Sequence, residues 1–222
     1  MNNYSDFPYA RHFLGSSFSI LWLNNHTMEF HPLTLTGRFV RLEPLSEAHV
    51  AGLAEAGSDP SIWAYMPGGF AGTPETMAAL VQDLLARQAR GTDLPFTVIH
   101  AASGRVIGMT RYLDIQPENR ALEIGGTWYA VDFQRTACNT ECKYLLLRHA
   151  FETLGCERVQ FKTDERNQRS QRALERIGAV REGVLRRHMR MSDGFLRSSV
   201  YYSILVDEWP GVKSHLEMIL GQ

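Results

Sequence analysis

Residues 121–140 constrain the fold of this chain more than any other stretch. The run 121–129, ALEIGGTWY, has β-forming residues on both sides of two adjacent glycines, Gly125 and Gly126. After the short loop Gln134-Arg135-Thr136-Ala137-Cys138-Asn139, a helical pattern occupies 140–154, with Tyr144, Leu147, Phe151 and Leu154 as its apolar stripe and Gly155 as its cap. A strand that turns tightly into a helix leaves first-turn N–H groups without intrahelical acceptors, and the helix dipole adds partial positive charge there. Such a terminus binds anions, and Arg135 adds a planar cation suited to phosphate oxygens. Two glycines within a strand permit a bulge or a close backbone approach. An ordinary strand-to-helix connection, capped by threonine or asparagine, would leave the same pattern.

The rest of the chain supplies the setting. Residues 33–42 read as one strand. Ser46 caps a helix reaching Gly57, Thr73-Pro74-Glu75 opens a second helix that Gly91 ends, and 96–100 and 106–112 form a hairpin across Gly104. Val159 and Phe161 alternate in a strand, Ser170, Ala173, Leu174 and Ile177 line a short helix closed by Gly178, and two strands flank Ser192-Asp193-Gly194. An amphipathic segment, 212–220, follows. This order predicts a mixed α/β (α+β) domain built on one twisted, mostly antiparallel sheet flanked by helices.

Composition narrows the function classes. With a formal net charge of -1, no global basic surface for nucleic acid or membrane is expected. The three cysteines, Cys138, Cys142 and Cys156, are too few and odd in number for a disulfide framework, and no paired histidines follow at metal-site spacing, so buried free thiols and no metal are expected. Residues 1–27 include an apolar stretch, 13–23, that is too short to span a bilayer and lacks a small-residue cleavage site. They read as an N-terminal extension, a non-native start or a docking arm, ahead of a domain over 28–222 that opens at Met28. The chain reads as cytoplasmic, with the last strands or the arm as the route to a homodimer.

Several stretches together resemble a known family. Leu122-Glu123-Ile124-Gly125-Gly126-Thr127-Trp128 is similar to the fourth strand of GNAT N-acyltransferases of the RimJ/RimL-like, ribosomal-protein N-acetyltransferase branch. Residues 134–139 resemble their Q/R-x-x-G-x-G/A pyrophosphate loop, 139–147 the helix after it, and Asn167-Gln168-Arg169-Ser170 the N-x-x-S that opens the next helix. Residues 173–179, 183–188 and Asp207-Glu208-Trp209-Pro210 continue the match in order, so the resemblance covers about 28–220. Ala137 stands where glycine is usual, and Asn139 where glycine or alanine is usual. The Cβ of alanine limits approach of a phosphate, whereas asparagine tolerates left-handed geometry. The loop thus reads as a modified cradle.

The resemblance implies a GNAT fold and acyl transfer from acetyl-CoA, or another acyl-CoA, to a primary amine of a small molecule or a peptide N-terminus. It assigns cofactor contacts to Gln134, Arg135, Thr136, Ala137, Asn139 and Thr140, to Asn167 on the pantetheine arm, and to the backbone near Trp128, where an N–H between Gly126 and Trp128 would hold the thioester oxygen. It makes Glu123 the base acting through water and Ser170 the group that meets the departing thiolate. Simpler roles compete: a salt bridge for Glu123, a helix cap for Asn167, a helix-face hydroxyl for Ser170. His149 and His188 read as structural, and Trp63, Tyr65, Met66 and Pro67 as either acceptor-pocket lining or a core turn. A CoA-binding regulatory module without turnover, and a sugar- or nucleotide-binding domain, remain as alternatives.

Overall fold

The computed structural model describes Met28 and residues 30–221, so the extension 1–27 lies outside the described residues. Among these residues one eight-stranded sheet runs in the order β1-β2-β3-β4-β5-β6-β8-β7. The strands are β1 (Leu35–Thr36), β2 (Val40–Pro44), β3 (Asp93–His100), β4 (Val106–Gln116), β5 (Ala121–Tyr129), β6 (Arg158–Asp164), β7 (Val180–Arg190) and β8 (Leu196–Leu205). The helices are α1 (Val50–Ala56), α2 (Pro74–Ala89), α3 (Ala137–Arg148), α4 (Gln168–Arg176) and α5 (Trp209–Leu220). Every neighbouring pair is antiparallel except β5–β6.

Alternation along the strands sends side chains to two separate cores. Phe96, Ile107, Tyr112, Leu122, Ile124, Phe161 and Tyr202 meet α3 and α5 through Tyr144, Leu147, Trp209 and Leu216. Met109 and Trp128 meet α1 and α2 through Leu53, Met77, Val81 and Leu84, with Trp63 of the 3₁₀ turn Pro60–Trp63 packed in the same core. Helix α2 begins where its sequence signal lies: the Thr73 hydroxyl accepts from the Thr76 N–H at 3.2 Å, with Pro74 in the first turn. Gly91, just past its end, takes φ +74°, which glycine adopts without strain.

Three boundaries differ from the sequence reading. The predicted strand 33–42 is a hairpin, β1 and β2, turning at Gly37. Its cause is Glu141, whose buried carboxylate accepts from the N–H groups of Arg38, Phe39 and Val40 at 2.7, 2.6 and 2.7 Å. Any Cβ on Gly37 would collide with the Glu141 carboxylate, so only glycine fits. Ser46 precedes a short 3₁₀ turn, Glu47–His49, before α1. The helix expected over 140–154 starts earlier, at Ala137, because Thr136 is the residue that caps it, and it loosens into a π turn, His149–Thr153, before Gly155.

Candidate active site

The site is built where the parallel pair parts. β5 and β6 are registered over three residues only, Ala121↔Arg158, Leu122↔Val159 and Glu123↔Gln160. Beyond Glu123, β5 keeps its partner β4 while β6 keeps β8. Gly126 lies in this parting at φ +58°, and the β4–β5 register shifts there, from Met109↔Trp128 to Arg111↔Gly125. This bulge turns backbone amides out of the ladder. The glycine pair in the sequence is the cause of the opening.

Two helix N-termini stand beside it. Helix α3 opens at Thr136, whose hydroxyl accepts from the Cys138 N–H at 3.3 Å and donates to the Phe133 carbonyl at 2.8 Å. By helix geometry the first-turn amides of Ala137 and Asn139 have no intrahelical acceptor. The free first-turn amides therefore begin at Ala137, three residues ahead of Thr140, where the sequence pattern starts the helix. The left-handed residue of the loop is Arg135, at φ 63°, and neither Ala137 nor Asn139 has positive φ. Ala137 thus carries no backbone strain, and its Cβ is left as the feature that bears on how closely a phosphate can approach. Helix α4 opens at Asn167, whose side-chain oxygen accepts from the Ser170 N–H at 3.0 Å.

Side chains tie the two termini together. Gln134 donates to the Tyr129 carbonyl at 3.1 Å and accepts from the Arg169 guanidinium, and the Thr140 hydroxyl accepts from Arg176 at 3.0 Å. Thr140 is buried and Arg135 exposed. Trp128 places its ring in the second core, with the ring centre of Trp63 at 5.1 Å, so only its backbone is offered to the opening.

Glu123 is buried at the last registered position of β5 and is already engaged: Lys162 Nζ lies 3.2 Å away and Gln160 Nε2 3.4 Å away. On the same sheet face, His188 bonds Ser199 Oγ at 3.0 Å and Tyr201 Oη at 3.3 Å, and burial with the charges of Lys162 and Arg197 pulls its pKa down. His149 stacks on Tyr112 at the far end of α3, away from the opening. Trp63 is a core residue, its indole N–H donating to the Gly57 carbonyl at 2.7 Å. Tyr65 is instead fastened toward the β7–β8 hairpin: Arg197 donates to its carbonyl at 3.3 Å, and the Arg166 guanidinium lies 5.7 Å from its ring centre.

The sequence reading passed over Lys143. Every residue of α3 from 140 to 147 is buried, Lys143 included at 6% exposure. Its Nζ donates to Thr127 Oγ1 on the far side of the bulge at 3.0 Å and lies 5.5 Å from the ring centre of Phe161 on β6, so the amine bridges the two parted strands. Burial pulls its pKa down to about 8. No local pattern signals its burial, because α3 also carries Asn139, Thr140, Glu141 and Arg148 and does not read as an apolar helix. The three cysteines are free and buried, and burial pushes Cys142 and Cys156 up to about 12. Among the described residues no helix is long and apolar enough to cross a membrane, and no group of three or more His, Cys, Asp and Glu is arranged to hold a metal ion.

Comparison with known proteins agrees with this architecture. The family model described as "Acetyltransferase (GNAT) domain" matches residues 40–180. The Bacillus subtilis (strain 168) protein named "Putative ribosomal N-acetyltransferase YdaF" is 34% identical over 110 residues, half of this chain and 59% of that relative's length. A T. thermophilus protein of known crystal structure superposes with a TM-score of 0.79 at 43% identity, covering 87% of this chain and 100% of that one. RimJ of Mycobacterium smegmatis, solved in complex with CoA-disulfide, shares the fold at a TM-score of 0.73 and 22% identity, over 86% of this chain and 95% of that one. The parted parallel strands, the helix terminus beside them and the match over 40–180 lead to one conclusion: this chain belongs to the GNAT acetyltransferase family.

Proposed function

We propose that the protein transfers an acyl group from acyl-CoA, acetyl-CoA in the first instance, directly to a primary amine. The observation that carries this reading is the parting of β5 and β6 directly after Glu123, beside the first turn of α3. The amides of Ala137 and Asn139 would hold the CoA diphosphate, with Arg135 adding charge and Gln134, Thr136 and Thr140 shaping the loop. The pantetheine arm would then run between the strands toward α4. There Asn167 uses its oxygen as the helix cap and keeps its amide hydrogens for a pantetheine carbonyl.

The chemistry needs three groups. A backbone N–H between Gly126 and Trp128 would hold the thioester oxygen as charge develops on it. Glu123 lies at the inner end of the opening, and because Lys162 already pairs with it, its role is to orient a water that takes the ammonium proton rather than to meet the amine directly. Ser170, in the first turn of α4, would donate to the departing thiolate. The acceptor class is a peptide N-terminus or a small-molecule amine. The name of the B. subtilis relative favours the peptide.

A thiol-release assay with acetyl-CoA and a panel of peptide and small-molecule amines tests this. Turnover with at least one amine is expected, and Ser170→Ala should lower kcat by about 10²-fold while leaving CoA affinity within a factor of two or so. Saturable CoA binding with no thiol release for any amine would instead identify a binding module.

A further inference from the structure

Lys143 is a thinly satisfied buried cation beside the opening. An ammonium has three donors and no acceptor, yet Thr127 Oγ1 is its one hydrogen-bond acceptor among the described residues, and that hydroxyl is shared with Thr110 Oγ1 at 2.8 Å. The face of Phe161 supplies the other contact. A buried charge so thinly satisfied is costly, and it stands where β5 and β6 no longer hydrogen-bond each other. Thr127 belongs to the bulged end of β5 and Phe161 to the diverging part of β6, so a ligand arm entering between the strands would pass beside this amine.

We infer that Lys143 is a catalytic residue that stabilises and protonates the CoA thiolate as it leaves. This rests on the acyl-transfer reading above. In the step, the acceptor nitrogen bonds the thioester carbon, the carbon–sulfur bond breaks, and its electron pair departs on sulfur. The ammonium of Lys143 would lie beside that sulfur and give it a proton while the Ser170 hydroxyl holds the sulfur by a hydrogen bond. The amine then regains a proton from solvent, and water held by Glu123 takes the two protons the acceptor nitrogen loses, one before attack and one after it. One ammonium and one thioester thus yield one amide, one thiol and one released proton. The depressed pKa of the amine suits it to give up a proton near neutrality. The charged group acting on it is Glu123 of β5, which favours its charged form, while Cys142 of its own helix, pushed up to about 12 by burial, stays a neutral thiol.

The test is the ionisation of CoA's own thiol in the complex, followed by the ultraviolet absorbance of the thiolate as pH is raised. In the wild-type complex the bound thiol should ionise at least about one pH unit below free CoA, a tenfold shift in the equilibrium. Lys143→Met should bind CoA within about threefold of wild type and return the thiol to its free behaviour, and its kcat should fall by about 10²-fold. Lys143→Gln keeps a donor to Thr127 without the charge and gives the same readout should the methionine variant not fold. Equal thiol ionisation in wild-type and variant complexes, with CoA bound in each, would overturn the role of Lys143 while leaving the acyltransferase reading intact. Failure of the wild type to bind CoA would overturn both.

Discussion

Replacing Glu141 with alanine should lower the stability of the fold by about 3–5 kcal/mol, a large part of what holds a domain of this size together. The carboxylate is fully buried and accepts three backbone N–H groups from the β1–β2 turn, more than one hundred residues away in sequence. No other partner replaces it when it is cut back, so the three donors are left to a cavity, and each orphaned buried donor costs about 1–3 kcal/mol before relaxation and water entry reduce the total. Glu141→Gln should be nearly as damaging, because one of its two acceptors becomes a donor facing donors. Urea denaturation followed by circular dichroism gives the values. A loss below about 1 kcal/mol would mean that the turn is held by something other than this clamp.

The opposite sign is expected one helical step away. Lys143→Met should stabilise the ligand-free protein by about 2–3 kcal/mol at neutral pH, although it removes a hydrogen bond. The folded state depresses the lysine pKa from 10.5 to about 8, so the charged form is disfavoured by folding. That penalty is fully present below about pH 8, shrinks as pH rises toward 10.5 and vanishes above it. The advantage of methionine must therefore be largest in the neutral range and fade through the alkaline one. Denaturation at neutral and alkaline pH shows the trend. A variant less stable than wild type at neutral pH would show that the amine is better satisfied than its contacts indicate. Together with the expected loss of turnover, a stabilising substitution at this position would mark the lysine as kept for chemistry.

Much of the fold was legible because its signals are local. Thr73-Pro74-Glu75, the ALEIGGTWY strand and Ser192-Asp193-Gly194 each carry their own boundary in a few residues, and α2, β5 and the β7–β8 hairpin lie where those signals put them. The errors have a common physical source. Residues 33–42 alternate well enough for one strand, but a carboxylate from distant α3 bends them into a hairpin, and no local pattern reports a partner so far along the chain. The start of α3 was misplaced by three residues because Thr136 and Asn139 are both good caps, and tertiary context selected the first. The glycines in β5 pointed to the opening, yet the charged groups around it, Lys143 against Thr127 and Lys162 against Glu123, depend on which strand faces are brought together by the parallel β5–β6 pairing. Trp128 shows the same limit: a bulge at Gly126 sends its ring into the α1–α2 core and leaves only main chain at the opening.

Calorimetric titration of the full chain with acetyl-CoA tests most directly whether the first turn of α3 and the parted strands form a thioester site. Saturable one-to-one binding with a dissociation constant in the range of about 1 μM to 1 mM is predicted. The absence of any binding heat at millimolar ligand would contradict it.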